Sequence, residues 1–238
     1  MQRLLIRLVL VTLFIFSLGI HAQEQSQDSQ DPYVTNYDFI KPPQPTSSPD
    51  KIEVVEVFLY TCPHCYAFES HLRPWVETAP SHIQFSNMPA VFNDKGILLA
   101  KAYYTAVELG ILNKFHLALY DAIHVQNLNM NDEQALMQLF AKFNVSQDKF
   151  QSAFNSFSVD TKVRRAKMMT ANYGISGVPS MVVNGKYRLT SGQAGGYTKM
   201  LEIVNFLVEK ERAQQTSQPK AAEITHTQSS ALPAPQAK

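Results

Sequence analysis

The sequence has little cysteine: two residues in 238, Cys62 and Cys65. That excludes a scaffold stapled by several bridges and leaves one possible intramolecular disulfide, within a single Cys-x-x-Cys. Charge is also sparse. Only 17% of residues are Asp, Glu, Lys or Arg, and 21 basic against 20 acidic residues nearly cancel. With no dense Lys/Arg run, the electrostatic footprint of a nucleic-acid-binding protein is missing, so no nucleic-acid partner is expected. Long hydrophobic runs are equally scarce. The run Leu8 to Ile20 is 13 residues, against about 20 for a helix that spans a bilayer. Arg3 and Arg7 precede it and Gly19-Ile20-His21-Ala22 follows. This is the layout of a secretory signal peptide over residues 1–22, with an uncleaved anchor as the other reading. Export places the mature chain in an oxidising compartment, where the Cys62–Cys65 pair is expected to be a disulfide.

What is present is a 45% hydrophobic composition, enough to bury one full core. Residues 23–50 form a polar segment with a possible edge strand at Tyr33 to Ile40, before Pro42-Pro43. Lys51 to Tyr60, a near-continuous β-branched and apolar run, predicts a strand covered on both faces. Tyr66, Phe68, Leu72 and Trp75 suit a helix, kinked at Pro74, and Ile83 to Met88 suits a second strand. From Gly96 to Phe157 the periodicity is helical: Leu98, Ala102, Ala106 and Leu109; then Phe115, Leu119 and Ala122; then Leu136, Leu139, Phe140 and Phe143; then Phe150, Phe154 and Phe157. These stripes are read as core, with caps at Gly110, Asp132 and Ser146. A further helix from about Val159 to Gly174 carries Val163, Ala166, Met169 and Tyr173. Met181 to Val183, Asn184-Gly185 and Lys186 to Leu189 spell a hairpin, because Asn-Gly accommodates the positive φ of a type I′ turn. A closing helix carries Tyr197, Leu201, Val204 and Val208, and residues 213–238 have the composition of a disordered tail. The whole is an α/β fold interrupted by an all-helical insertion.

The chemistry sits at Cys62-Pro63-His64-Cys65. If the strand ends near Tyr60, Cys62 takes the N-cap and Pro63 the first helical position, where its missing N–H is no loss. Free N–H groups, the helix dipole and His64 in the first turn then favour a Cys62 thiolate. A stabilised thiolate makes the disulfide easy to reduce, so the protein is expected to oxidise its substrates. A substrate thiolate would attack Cys62 to form a mixed disulfide, with Cys65 buried. The same bridge could merely staple the fold, but so short a loop removes little unfolded-state entropy. A zinc site would need two further ligands, and no histidine pair stands at metal spacing; haem attachment would need His where Tyr66 stands. No metal and no cofactor beyond the redox-active disulfide are expected. Glu56 interrupts the apolar strand six residues before Cys62. It either keeps its proton and exchanges it with Cys65, or is satisfied by a neighbour or water. Pro179, in Gly177-Val178-Pro179-Ser180, is a candidate cis peptide whose isomer the residues alone leave open.

Over about residues 33 to 210 the sequence resembles the DsbA family of periplasmic thiol:disulfide interchange proteins. The likeness rests on Glu56-Val57-Phe58 leading into Cys62-Pro63-His64-Cys65, the helical block, and Gly177-Val178-Pro179-Ser180 before Val183-Asn184-Gly185-Lys186-Tyr187. It implies a thioredoxin fold at 51–95 and 158–212 with an inserted helical domain at 96–157. It further implies a cis Pro179 beside the disulfide, with Val178 pairing its backbone to an extended substrate. It favours the acid–base reading of Glu56, and implies a periplasmic location, reduced exported proteins as substrates, and reoxidation by a DsbB-type membrane quinone reductase. Some relatives place a lysine near the buried glutamate; His82 to Met88 contains none. The competing functions are a disulfide isomerase and a periplasmic chaperone or peptide-binding module with an incidental disulfide.

Overall fold

The computed structural model describes residues 31–217. The expected signal peptide lies outside them, as do residues 23–30 of the polar segment and 218–238 of the tail. Five strands form one mixed sheet: β1 (Asp38–Phe39), β2 (Ile52–Phe58), β3 (Ile83–Pro89), β4 (Ser180–Val183) and β5 (Tyr187–Thr190). Their spatial order is β1-β5-β4-β2-β3, with β2 and β3 parallel and the other pairs antiparallel. Helix α1 (Pro63–Glu77) makes the β2-to-β3 crossover, and α2 (Asp94–Glu108), α3 (Leu112–His124), α4 (Glu133–Ala141), α5 (Gln147–Phe154) and α6 (Phe157–Asn172) lead to β4. The short α7 (Ser191–Ala194) and the long α8 (Tyr197–Ser217) complete the chain.

All seven residues of β2 are buried, as expected of a strand covered on both sides. Successive side chains of a strand point to opposite faces. Accordingly Ile52 and Val54 pack with Phe68 and Leu72 of α1 and Ile203 and Leu207 of α8, while Val55 and Val57 pack with Val159, Val163, Ala166 and Met169 of α6. Phe58, at the end of β2, joins a third cluster built from α2 to α5, in which Phe115 and Phe140 lie 4.1 Å apart between ring centroids. Each such ring contributes about 1.5–3 kcal/mol by leaving water. The helical block therefore has its own core, and β2 delivers its last residue into it.

Local signals set the helix ends. Asp132 and Ser146 cap α4 and α5 by accepting the N–H of Ala135 and Lys149, and Gly110 follows α2 with φ +70°. Asn93 and Ser156 are further N-caps, for α2 and α6, that the sequence reading did not single out.

Four expectations need correction. Phe157 does not extend the α5 stripe: Ser156 starts a new helix with a different phase, and Phe157, its first residue, is 81% exposed. That helix ends at Asn172, two residues short of Gly174. In the hairpin, Asn184 and Gly185 have φ of 51° and 63°, but Val183 pairs with Tyr187, so Lys186 belongs to the connection and not to β5. Residues 213–217, assigned to a disordered tail, continue α8.

Candidate active site

β2 runs the chain through the sheet and releases it at Phe58, where the N–H of Cys62 closes a turn on the carbonyl of Leu59 at 3.1 Å. Cys62 is the N-cap of α1, with φ −90° and ψ 115°, and Pro63 begins the helix. No side chain caps this helix and no acid stands in its first turn, so nothing on α1 competes with the Cys62 sulfur for the open amide groups. Cys62 is half-buried, Cys65 fully buried, and both are free thiols. Pro63 and His64 are exposed at the surface. The carbonyl of His64 accepts a hydrogen bond from the Tyr197 hydroxyl at 3.0 Å, which ties the first turn to α8.

The loop before β4 closes the other side. The Val178–Pro179 peptide bond is cis, and the Cys62 thiol donates to the Val178 carbonyl at 3.6 Å. A second cis bond, Lys41–Pro42, lies in the N-terminal segment.

Beneath the thiols lies a buried polar group. Burial pushes the Cys65 thiol far up, with Cys62 and Glu56 adding to the effect and a backbone hydrogen bond at Leu59 opposing it. Glu56 is fully buried, and its carboxyl is held well above the usual range, first by burial and second by the neighbouring Glu69 carboxylate. One oxygen, Oε2, accepts from the Asn87 side chain on β3; the other, Oε1, has no partner among the described residues. Asn87 is the register partner of Glu56, on the strand where the sequence offers no lysine. Glu69, on α1, is itself buried but faces His116 of α3, whose Nε2 lies 3.1 Å from Glu69 Oε1 while its Nδ1 lies 2.8 Å from the Tyr60 hydroxyl. With the proton on Nε2, the imidazole donates to Glu69 and accepts from Tyr60, satisfying all three groups. Of two close carboxylates, then, Glu69 has the compensating partner and Glu56 is the one that keeps its proton.

The structure thus brings together Cys62, Cys65, Pro63, His64, Glu56, Val178 and Pro179, the residues singled out from the sequence. Sequence reasoning missed Tyr60, Glu69, Asn87, His116 and Tyr197. A signal existed for one of them: His116 sits one position from the Phe115-Leu119 stripe, on the edge of an otherwise apolar helix face. Among the described residues no cluster of His, Cys, Asp and Glu could hold a metal ion, and no helix is long and apolar enough to cross a membrane.

A βαβ unit presenting Cys-x-x-Cys at the start of its helix, beside a cis-proline loop and over a buried carboxyl, defines a thioredoxin-fold thiol–disulfide oxidoreductase. Comparison with known proteins narrows the class. Residues 53–200 match the family model for a DSBA-like thioredoxin domain. The thiol:disulfide interchange protein DsbA of Pseudomonas aeruginosa is 35% identical over 213 residues, covering 90% of this chain and 98% of the relative. Its namesake in Pseudomonas syringae pathovar tomato is 36% identical, covering 90% and 97%. The crystal structure of Pseudomonas aeruginosa DsbA aligns with a TM-score of 0.73 at 38% identity, covering 76% of this chain and 95% of that one. The oxidoreductase DsbA from Xylella fastidiosa gives 0.70 at 33% identity, covering 74% and 95%. This chain belongs to the DsbA family and is a protein thiol:disulfide oxidoreductase.

Proposed function

We propose that the chain works as an oxidase in the periplasm, donating the Cys62–Cys65 disulfide to reduced exported proteins. The observation that carries this is the contrast between the two sulfurs: Cys62 half-exposed at an uncapped helix N-terminus, Cys65 sealed beneath it. Stabilising the reduced form of a cysteine pair makes its disulfide a good oxidant, an effect of which DsbA proteins are themselves an example.

The exchange runs in two displacements. A substrate thiolate attacks Cys62 Sγ, forming the mixed disulfide and breaking the Cys62–Cys65 bond, and Cys65 leaves as a thiolate. In that dry site its charge is costly, and Glu56, whose carboxyl burial holds well above the usual range, supplies a proton. The substrate's second thiolate then attacks its own sulfur in the mixed disulfide and expels Cys62. The substrate gains a disulfide, and the protein takes up the two electrons as a dithiol. Val178, beside Cys62, would pair its backbone with the extended substrate once the Cys62 thiol no longer occupies its carbonyl. His64 adds a donor in the first turn. The cysteine pair is itself the two-electron couple, so no dissociable cofactor or metal is needed; a DsbB-type membrane quinone reductase would restore the disulfide, and nucleic acid has no part.

Trapping tests the assignment. Cys65→Ser, mixed with an oxidised peptide, should accumulate a peptide adduct at Cys62, because the escape by intramolecular attack is gone, whereas Cys62→Ser should form none. Equal adducts on both variants would remove the distinction between the sulfurs and with it the mechanism.

A further inference from the structure

His116, Tyr120 and His124 stand four residues apart along α3, so they share one face of the helix. That face points at α1 and the loop leading into it. His116 Nδ1 meets the Tyr60 hydroxyl at 2.8 Å, and His124 Nε2 donates to the Tyr60 carbonyl at 2.7 Å, so Tyr60 is held at both its side-chain and its backbone end. Asp121, beside this face, accepts from the Tyr66 hydroxyl at 2.5 Å. The Tyr66 ring stacks on His124, with centroids 5.3 Å apart and planes 9° apart, and on Tyr120 at 5.5 Å and 25°. Tyr60 lies two residues before Cys62, and Tyr66 directly follows Cys65. One helix of the insertion therefore grips both flanks of the redox tetrapeptide.

We infer that the last two turns of α3 position the redox site, Asp121 and His124 being positioning residues that hold the Cys62 sulfur in register with the amide groups of the first turn of α1. The physical reason is range. The effect of a helix N-terminus on a charge falls off within one turn, so a small displacement of the loop relative to α1 weakens it. Burial of the Tyr60 ring and stacking of the Tyr66 ring alone would hold the loop in place, but would not fix its orientation; directional bonds to a carbonyl and a hydroxyl do. Loosening the grip should disfavour the reduced form and make the disulfide harder to reduce. The helical insertion then tunes the couple as well as covering the site.

The test uses the full mature protein and its equilibrium with glutathione buffers, with thermal unfolding recorded in parallel. His124→Leu, which loses the bond to the Tyr60 carbonyl, should lower the equilibrium constant for reduction of the disulfide about 2- to 10-fold, the worth of one lost hydrogen bond. His124→Gln, which keeps a donor, should recover most of it. Tyr66→Phe removes one hydroxyl and keeps the ring, so it folds even if His124→Leu does not; it should shift the equilibrium in the same direction, as should Asp121→Asn. A drop in thermal stability with an unmoved equilibrium would identify ordinary packing and overturn the inference, as would a Gln variant no better than Leu. The inference rests on the oxidase reading, which the wild-type equilibrium tests alone: a strongly oxidising wild type with variants to match it defeats the positioning role and leaves that reading standing.

Discussion

Two buried glutamates have opposite surroundings. Glu211, near the end of α8, is 1% exposed and accepts from three donors: the Asn184 amide at 2.6 Å, the Lys186 ammonium at 2.6 Å and the Tyr187 hydroxyl at 2.8 Å. It locks the hairpin connection to the closing helix. Glu56, under the thiols, has one amide donor, a neighbouring carboxylate, and an oxygen with no partner among the described residues. A carboxylate with its oxygens satisfied is part of the architecture, while one left short of donors keeps its proton and has it to give. Composition alone does not separate the two; the donors brought to each oxygen do.

That contrast can be broken by substitution. The largest effect is expected from Glu211→Ala, which leaves the Asn184 and Tyr187 donors and the Lys186 charge without their acceptor. Urea unfolding should show a loss of about 3 kcal/mol, with the thiol–disulfide equilibrium unchanged. Glu56→Gln should do the reverse. Because the folded state holds the Glu56 proton more tightly than the unfolded chain, that proton's contribution to stability is fully present below the ordinary glutamate value and is lost as pH rises toward the raised one. A glutamine has no proton to lose. The variant should match wild type near pH 4 and exceed it at pH 8, while its disulfide exchange slows. A stability difference that does not change with pH would mean that Glu56 is ionised or solvated. The smallest effect belongs to Tyr187→Phe, which removes one of the three donors to Glu211 and should lower stability by about 1 kcal/mol without touching exchange.

Much of this was legible in order of locality. Cys62 at the N-cap and Pro63 at the first helical position follow from neighbours in sequence, and so do the caps at Asp132 and Ser146 and the Asn184-Gly185 turn. β2 could be read because a run buried on both faces has a composition that solvent would not tolerate. The grip of α3 could not, since Tyr60 and His116 are 56 residues apart and no local rule joins them; the polar partners became visible only when the helix was laid against β2. Phe157 misled for a related reason. Its spacing from Phe154 fits a continuing helix, but the Ser156 side chain takes the N–H of Val159 and resets the phase, turning the ring to solvent.

The central claim is that the environment of Cys62 makes the protein an oxidant of other thiols. The most direct measurement is the equilibrium of the purified mature protein with defined ratios of reduced and oxidised glutathione, followed by fluorescence of Trp75 or by thiol alkylation. A midpoint potential well above that of glutathione is the predicted result; a midpoint far below it would make the pair a reductant or a structural bridge and contradict the account.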